Sequence, residues 1–255
     1  MTHRILILGG TYESRQLAAE LENECRKQDF EITLSLAGRT KNPLKQSVPV
    51  RTGGFGGVPG LVRYLEEERI DLLVDATHPY ASVMSHHAAE AARQTGIRLI
   101  AFRRPAWQAQ PDDLWHMAEN VEQAVSLLGN IPKKVFVALG RKELLPFETA
   151  PQHSYVIRSV DPVDPPLKLP SANYVLDRGP FEEDDEKKLL QDMGIEYIVS
   201  KNSGGMASYG KITAARKLRI PVIMIDRPKL PAIEEVKTLD AALKQCLQHI
   251  STALM

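Results

Sequence analysis

The chain has 255 residues, 43% hydrophobic and 25% charged, which suits one large or two small globular domains. Its formal net charge is +0, so no global basic field points to nucleic acid or an anionic membrane, although local basic clusters stay open. Two cysteines, Cys25 and Cys246, make neither a disulfide framework nor a zinc site. With no signal pattern and no apolar run of membrane-spanning length, a cytoplasmic setting without a bound metal is expected.

Arg4–Leu8 is a short apolar run rich in branched residues and predicts a central parallel strand. It enters Gly9-Gly10-Thr11 and then Glu13, ahead of a helix with Leu17, Leu21 and Cys25 on one face. Strand, glycine turn and helix start together present backbone N–H groups to an anion. The pattern is not the full Gly-x-Gly-x-x-Gly, so a plain tight turn is the competing reading. Glu31–Leu36 predicts the second strand, ending at Gly38-Arg39-Thr40. In a dinucleotide fold that end meets the adenosine ribose, where arginine accommodates a 2′-phosphate and an acid would hold a free hydroxyl. Arg39 and Thr40 lean towards NADP over NAD; a solvated polar loop is the alternative.

Gly53-Gly54-Phe55-Gly56-Gly57 sets four glycines around one phenylalanine. That allows positive φ and a close approach of backbone to ligand, against a simple flexible turn. Leu61, Tyr64 and Leu65 then form a short helical face. The strand Ile70–Asp75 opens into Ala76-Thr77-His78-Pro79-Tyr80. Pro79 keeps His78 extended, at the strand end where open α/β sheets bind ligands; a structural histidine is the other reading. His86 and His87 read as surface or packing residues. Leu99–Phe102 is a further strand closed by Arg103-Arg104-Pro105, followed by an extended Leu114–Ala118 and a helix at Val121–Leu128.

The stretch from Ile70 to Pro105 recurs from Ile195 to Pro228, with Ile70 and Ile195 lying 125 residues apart and the two Arg-Pro pairs 123 apart. Gly10 and Glu13 likewise map onto Gly140 and Glu143, 130 residues on. The chain therefore reads as two similar α/β halves, residues 1–131 and 132–255, each a Rossmann-like domain with a mainly parallel sheet and a ligand cleft between them. The pieces after each Arg-Pro pair could pack on either half, so an exchange of final strands stays open. In the second half the acidic run Glu182–Glu186 reads as capping and solvation. Lys201-Asn202-Ser203-Gly204-Gly205 ahead of a helix makes an anion cradle, with an N-capped polar loop as the alternative. Arg141, Arg158, Arg178, Lys201, Lys211 and Arg227 are the cations available to an anionic ligand.

Eight motifs then stand in one order: Ile-Leu-Gly-Gly-Thr-x-Glu (7–13), Ser-Leu-Ala-Gly-Arg (35–39), Gly-Gly-Phe-Gly-Gly (53–57), Asp-Ala-Thr-His-Pro-Tyr-Ala (75–81), Arg-Arg-Pro-Ala-Trp (103–107), Gly-Arg-x-Glu-Leu (140–144), Arg-Gly-Pro-Phe (178–181) and Lys-Asn-Ser-Gly-Gly (201–205). Together they resemble the precorrin-6A and cobalt-precorrin-6A reductase family of cobalamin biosynthesis. Ser208-Tyr209-Gly210 departs from the Thr-Tyr-Ala expected there.

The resemblance implies an oxidoreductase that reduces a ring double bond of precorrin-6A, or of its cobalt form, by hydride transfer from NADPH, with NADH as the alternative donor. It assigns the cofactor to Gly9, Gly10, Thr11, Glu13, Gly38, Arg39, Thr40, Gly54, Phe55, Gly56, Thr77 and His78. The polycarboxylate tetrapyrrole goes to Arg141, Arg178, Lys201, Asn202, Ser203, Gly204 and Gly205. A proton must also reach the reduced ring, and His78, Tyr80, Lys201, Tyr209 or solvent could supply it. Neighbouring pathway enzymes are the partners such a role implies, with no nucleic acid or membrane. Two other classes compete: a non-catalytic nucleotide or tetrapyrrole binder, and an S-adenosylmethionine-dependent methyltransferase of the same pathway.

Overall fold

The computed structural model describes residues 3–25, 30–38, 40 and 44–253. In chain order it forms β1 (His3–Leu8), α1 (Tyr12–Cys25), β2 (Phe30–Leu36), β3 (Val50–Thr52), α2 (Gly57–Glu67), β4 (Leu72–Asp75), α3 (Ser82–Thr95) and β5 (Arg98–Phe102). There follow β6 (Trp115–Ala118), α4 (Val121–Leu127), β7 (Lys134–Ala138), two 3-10 turns (Arg141–Glu143 and Leu145–Thr149), β8 (Ser154–Ser159) and β9 (Ala172–Leu176). The chain closes with α5 (Glu183–Asp192), β10 (Tyr197–Lys201), α6 (Gly210–Leu218), β11 (Val222–Ile225), β12 (Glu235–Val236) and α7 (Leu239–Ala253).

The strands make two six-stranded sheets, ordered β3-β2-β1-β4-β5-β12 and β9-β8-β7-β10-β11-β6. Every pairing is parallel, with Ile5 opposite both Ile32 and Leu72 in the first sheet. These are two Rossmann-like sheets of the α/β class, each with strand order reversing beside its first strand. The doubly apolar strand β1 shows why. Ile5 and Ile7 pack with Leu17 and Leu21 of α1, whereas Leu6 and Leu8 pack with Leu61 and Leu65 of α2. Alternation along a strand thus buries both faces and demands helices on each.

The chain divides into two compact units, Met1–Pro105 with Pro228–Met255, and Ala106–Arg227. This differs from a division at 131/132. Residues 106–131 lie in the second unit because β6 pairs with β11, and the chain returns to the first at 228 because β12 pairs with β5. Both Arg-Pro pairs mark the crossings, where proline keeps the preceding residue extended. The strand β3 was also not read from the sequence; it has three residues, bounded by Pro49 and Gly53. In the second unit a pair of 3-10 turns stands where α1 stands in the first. Among the described residues, no helix is long and apolar enough to cross a membrane.

Gly60 fixes how α2 meets the glycine loop. A Cβ built there would stand 1.7 Å from the Phe55 carbonyl oxygen, a backbone atom that cannot swing aside. At an open helix position Gly→Ala gains about 1 kcal/mol in propensity. Here the contact reverses the sign, so Gly60→Ala is expected to destabilise by about 1–3 kcal/mol. Urea unfolding checks this, and a midpoint at or above that of the parent would refute the close approach.

Candidate functional site

In the first unit the loops after β1 and β4 leave neighbouring strands where the sheet order reverses. Thr11 Oγ1 donates to the Ala76 carbonyl at 3.0 Å and ties the two together. The β1 turn is closed by Ser14, whose hydroxyl accepts from the Gly10 and Thr11 amides at 3.2 and 3.1 Å. Ser14 N in turn donates to Thr11 Oγ1 at 3.0 Å. At Gly9 a Cβ would lie 2.5 Å from Leu34 Cδ1, so the buried Leu34 side chain would have to shift to admit one. Glu13 forms an ion pair with Arg104 at the start of the first crossing. Burial disfavours the Arg104 cation, and Glu13 beside it works against that.

The backbone along this strand edge is bare. Where a Cβ would stand at Gly10, Gly53, Gly54 or Gly56, no atom of the described residues other than the chain neighbours lies within 4 Å, and Gly10, Gly53 and Gly56 have φ of 113°, 115° and 83°. This surface fits an extended phosphate-bearing ligand such as a dinucleotide, because at these glycines no side chain of the described residues stands in its way. Arg51 sets the loop's shape. Its guanidinium donates to the Gly53 and Gly54 carbonyls at 2.7 and 2.8 Å and lies 3.7 Å over the Phe55 ring. Phe55 also meets Tyr64 edge-on. Gly38, at φ 71°, packs towards Thr52, and Thr40 is half-buried beside it. Arg39 lies outside the described residues.

Thr77 donates through both N and Oγ1 to Asp75 Oδ1, at 3.2 and 2.7 Å. His78 is half-buried, and its Nδ1 accepts from the Tyr80 amide at 3.3 Å. The structure therefore gathers Gly9, Gly10, Thr11, Glu13, Thr77 and His78 around two tied loops, with the glycine loop after β3 on the same sheet edge. His86 is exposed, with Nδ1 against the Ser82 carbonyl.

In the second unit the segment 201–205 is built around Trp107. Asn202 accepts from Trp107 N at 2.8 Å and donates to its carbonyl at 2.9 Å, while Trp107 Nε1 donates to the Gly205 carbonyl at 2.9 Å. Gly204 and Gly205 have φ of 66° and 73°, and Ser203 N turns back to the Lys201 carbonyl at 2.8 Å. Arg227 Nε donates to the Asn202 carbonyl at 2.8 Å. The side chain of Asn202 thus holds the crossing segment. Lys201 pairs with Glu143, which also accepts from Gly140 N. Arg141 reaches Asp161 and the Pro162 carbonyl. Arg178 is half-buried, with its amide on Asp177. Tyr209 packs against Trp107, and its hydroxyl accepts from Arg216, which is gripped by Asp113.

Two cations expected to face an anionic ligand are buried instead. Arg158 is 6% exposed, forms a two-pronged pair with Glu186 and lies 3.6 Å from the Phe181 ring. Glu186 is accordingly a core partner and not a solvated member of the acidic run. Lys211 is 3% exposed, donates to the Ser208 carbonyl at 2.6 Å and lies over Trp107. The Ser-Tyr-Gly departure also has a spatial reason here, since a Cβ at Gly210 would lie 2.4 Å from the Phe181 carbonyl. Sequence reasoning missed Ser14, Arg51, Asp75, Arg104 and Glu143 as organisers of these loops. Asp75 carried one signal, an acid ending a wholly apolar strand.

Arg51→Met removes both the guanidinium over Phe55 and the fork that grips two carbonyls. The expected result is a roughly tenfold weaker affinity for a reduced nicotinamide cofactor, matching the loss of a charged hydrogen bond; unchanged affinity by fluorescence titration would refute a role for this loop in binding it. For Lys211, burial first and Arg158 second lower the pKa to about 7, with Glu186 opposing. The unfolded chain holds that proton to about 10.5. The charging penalty is therefore full below pH 7 and fades as pH rises towards 10.5. Lys211→Met should gain stability relative to the parent at pH 6, and that gain should shrink by a few kcal/mol by pH 10. A pH-independent difference would contradict it.

The family model described as Precorrin-6x reductase CbiJ/CobK matches residues 4–247. A precorrin-6A reductase from Sinorhizobium sp is 52% identical over 250 residues, covering 98% of this chain and 95% of the relative. The solved structure of CobK precorrin-6A reductase is similar at TM-score 0.92 and 45% identity, covering 98% of this chain and 97% of that one. A cobalt-precorrin-6A reductase from Priestia megaterium is similar at 28% over 240 residues, covering 89% and 91%. A family match along almost the whole sequence, with half the positions shared with one relative, makes this chain a member of the precorrin-6x reductase family.

Proposed function

We propose that the chain reduces one ring double bond of metal-free precorrin-6A, using NADPH, in the corrin-ring branch of cobalamin biosynthesis. The carrying observation is the 52% identity to a relative named for precorrin-6A, against 28% to one named for the cobalt form. A reduced nicotinamide, when bound, supplies the hydride. The bare backbone at Gly10, Gly53, Gly54 and Gly56 supports binding a dinucleotide in the first unit. Arg39, at the end of the second strand by sequence, supports a 2′-phosphate and hence NADPH over NADH.

The remaining work falls to side chains. With Nδ1 accepting from the Tyr80 amide, a neutral His78 carries its proton on Nε2, so it is the first choice to hold the proton that accompanies the hydride. Lys201, paired with Glu143, and Tyr209, accepting from Arg216, are the other candidates. Arg141, Arg178 and Lys201, with the backbone of 202–205, would receive substrate carboxylates. That local cluster reconciles a neutral chain with a polyanionic substrate.

The test is an anaerobic assay of precorrin-6A, with and without cobalt, against NADPH and NADH, following cofactor absorbance and product mass. A gain of two hydrogens matched by cofactor oxidation supports reduction. Tight NADPH binding without turnover would favour the non-catalytic binder, and S-adenosylmethionine consumption the methyltransferase. Arg39→Glu is expected to weaken NADPH far more than NADH; equal loss of both would remove the 2′-phosphate assignment.

A further inference from the structure

Asp75 ends β4 and is 2% exposed. Its Oδ1 accepts from Thr77 N and Thr77 Oγ1, and its Oδ2 accepts from Ser85 Oγ at 2.6 Å. Ser85 lies in α3, so one carboxylate joins the strand end, the loop and the following helix. The next turn is closed by Ala81 N donating to the His78 carbonyl at 2.7 Å, with Pro79 at the position where proline presets φ. Within that turn the Tyr80 amide meets His78 Nδ1. Asp75 holds Thr77, the residue before His78 in the chain, and the imidazole is met by the Tyr80 amide two residues further on.

The second unit shows that the fold does not need the acid. Ser200 occupies the equivalent sequence place, 125 residues on, one residue before the end of β10, buried to 1% exposure with its hydroxyl on the Lys201 carbonyl. A serine therefore suffices at this buried position of a parallel strand of this design. A carboxylate is costly to bury unless several donors meet it, and here three do. Their common effect is to fix the segment that carries His78.

We propose that Asp75 is the positioning residue for His78. By locking the Thr77–Tyr80 turn it keeps Nδ1 as acceptor and the proton on Nε2. The inference rests on His78 as the proton-holding group of the proposed reduction. It deepens that reading by naming what sets the tautomer, as a partner on one ring nitrogen does elsewhere.

The experiment uses the full chain with two variants, Asp75→Asn and Ser85→Ala, and His78→Ala as reference. Asn keeps an acceptor for Thr77 but turns an amide towards Ser85; Ser85→Ala removes one donor and leaves the carboxylate. Imidazole nitrogen NMR, without cofactor or substrate and assigned by loss of the signal in His78→Ala, should give the Nε2–H form for the parent. It should give a mixture in Asp75→Asn and a smaller shift in Ser85→Ala. With precorrin-6A and NADPH, kcat should fall at least tenfold in Asp75→Asn while the KM for NADPH stays within about threefold. Asp75→Asn combined with His78→Ala should lose no more than His78→Ala alone. A His78 spectrum unchanged in both variants would overturn the proposal, whatever happens to kcat. Because the spectrum needs no turnover, a shifted tautomer with no precorrin reduction would retain the positioning role and discard the reaction.

Discussion

The hydrogen bond from Thr11 Oγ1 to the Ala76 carbonyl is the constraint on which the first unit's site depends. At a topological switch point the chains leaving two adjacent strands diverge, and a crevice opens between them. Divergence alone leaves its width undefined. One threonine spans it, and the same hydroxyl accepts from Ser14 N to start α1. Loop, crevice and helix start therefore share one oxygen atom. The glycine turn then has a fixed partner across the sheet, and the bare backbone at Gly10 keeps a defined relation to the Thr77–Tyr80 segment.

The two units put one plan to different uses. Each sets a glutamate three residues after the glycine that ends its first strand's turn, and each gives that glutamate a cation. In the first unit the partner is Arg104, at the crossing after β5; in the second it is Lys201, at the end of β10. Arg227, the repeat of Arg104, instead holds the Asn202 carbonyl. The first unit begins its first crossover with a 14-residue helix, the second with two 3-10 turns. A helix start offers aligned amides to phosphate, and the short turns do not. The proposed assignment of dinucleotide to one unit and carboxylates to the other follows that difference.

Much of the fold was legible because burial writes itself into composition. Arg4–Leu8 and Pro221–Ile225 carry apolar residues on both faces, and a short branched run of that kind reads as a covered parallel strand. The 125-residue repeat showed that two sheets share one design. The exchange of β6 and β12 was left open by the sequence, since edge strands of four and two residues pair through backbone groups that any residue carries. The partners inside the sites were hidden for a related reason. Glu13 and Arg104 stand 91 residues apart, and Trp107 and Asn202 stand 95 apart. A motif displays the residue and not the contact it was selected to make. Function was legible through the order of eight motifs, and Arg39 carries its argument from sequence alone.

The buried charges of the second unit show why residue type is a poor guide to role. Arg158 and Glu186 form a pair with each side chain about 5% exposed. Desolvation offsets most of the attraction in such a pair, so its net contribution to stability is small. What it supplies is position. The guanidinium lies between the Phe136 and Phe181 rings, 5.0 and 3.6 Å from their centres. Phe181 in turn receives the start of α6 at Gly210. Arg158 thus joins a strand end, the Arg-Gly-Pro-Phe loop and the helix that follows the Lys-Asn-Ser-Gly-Gly cradle. Lys211, one residue beyond Gly210, enters the same interior and gives up its proton near neutrality rather than add a second cation there. Cations that sequence logic would send to the substrate are instead buried, Arg158 against Glu186 and Phe181 and Lys211 against the Ser208 carbonyl.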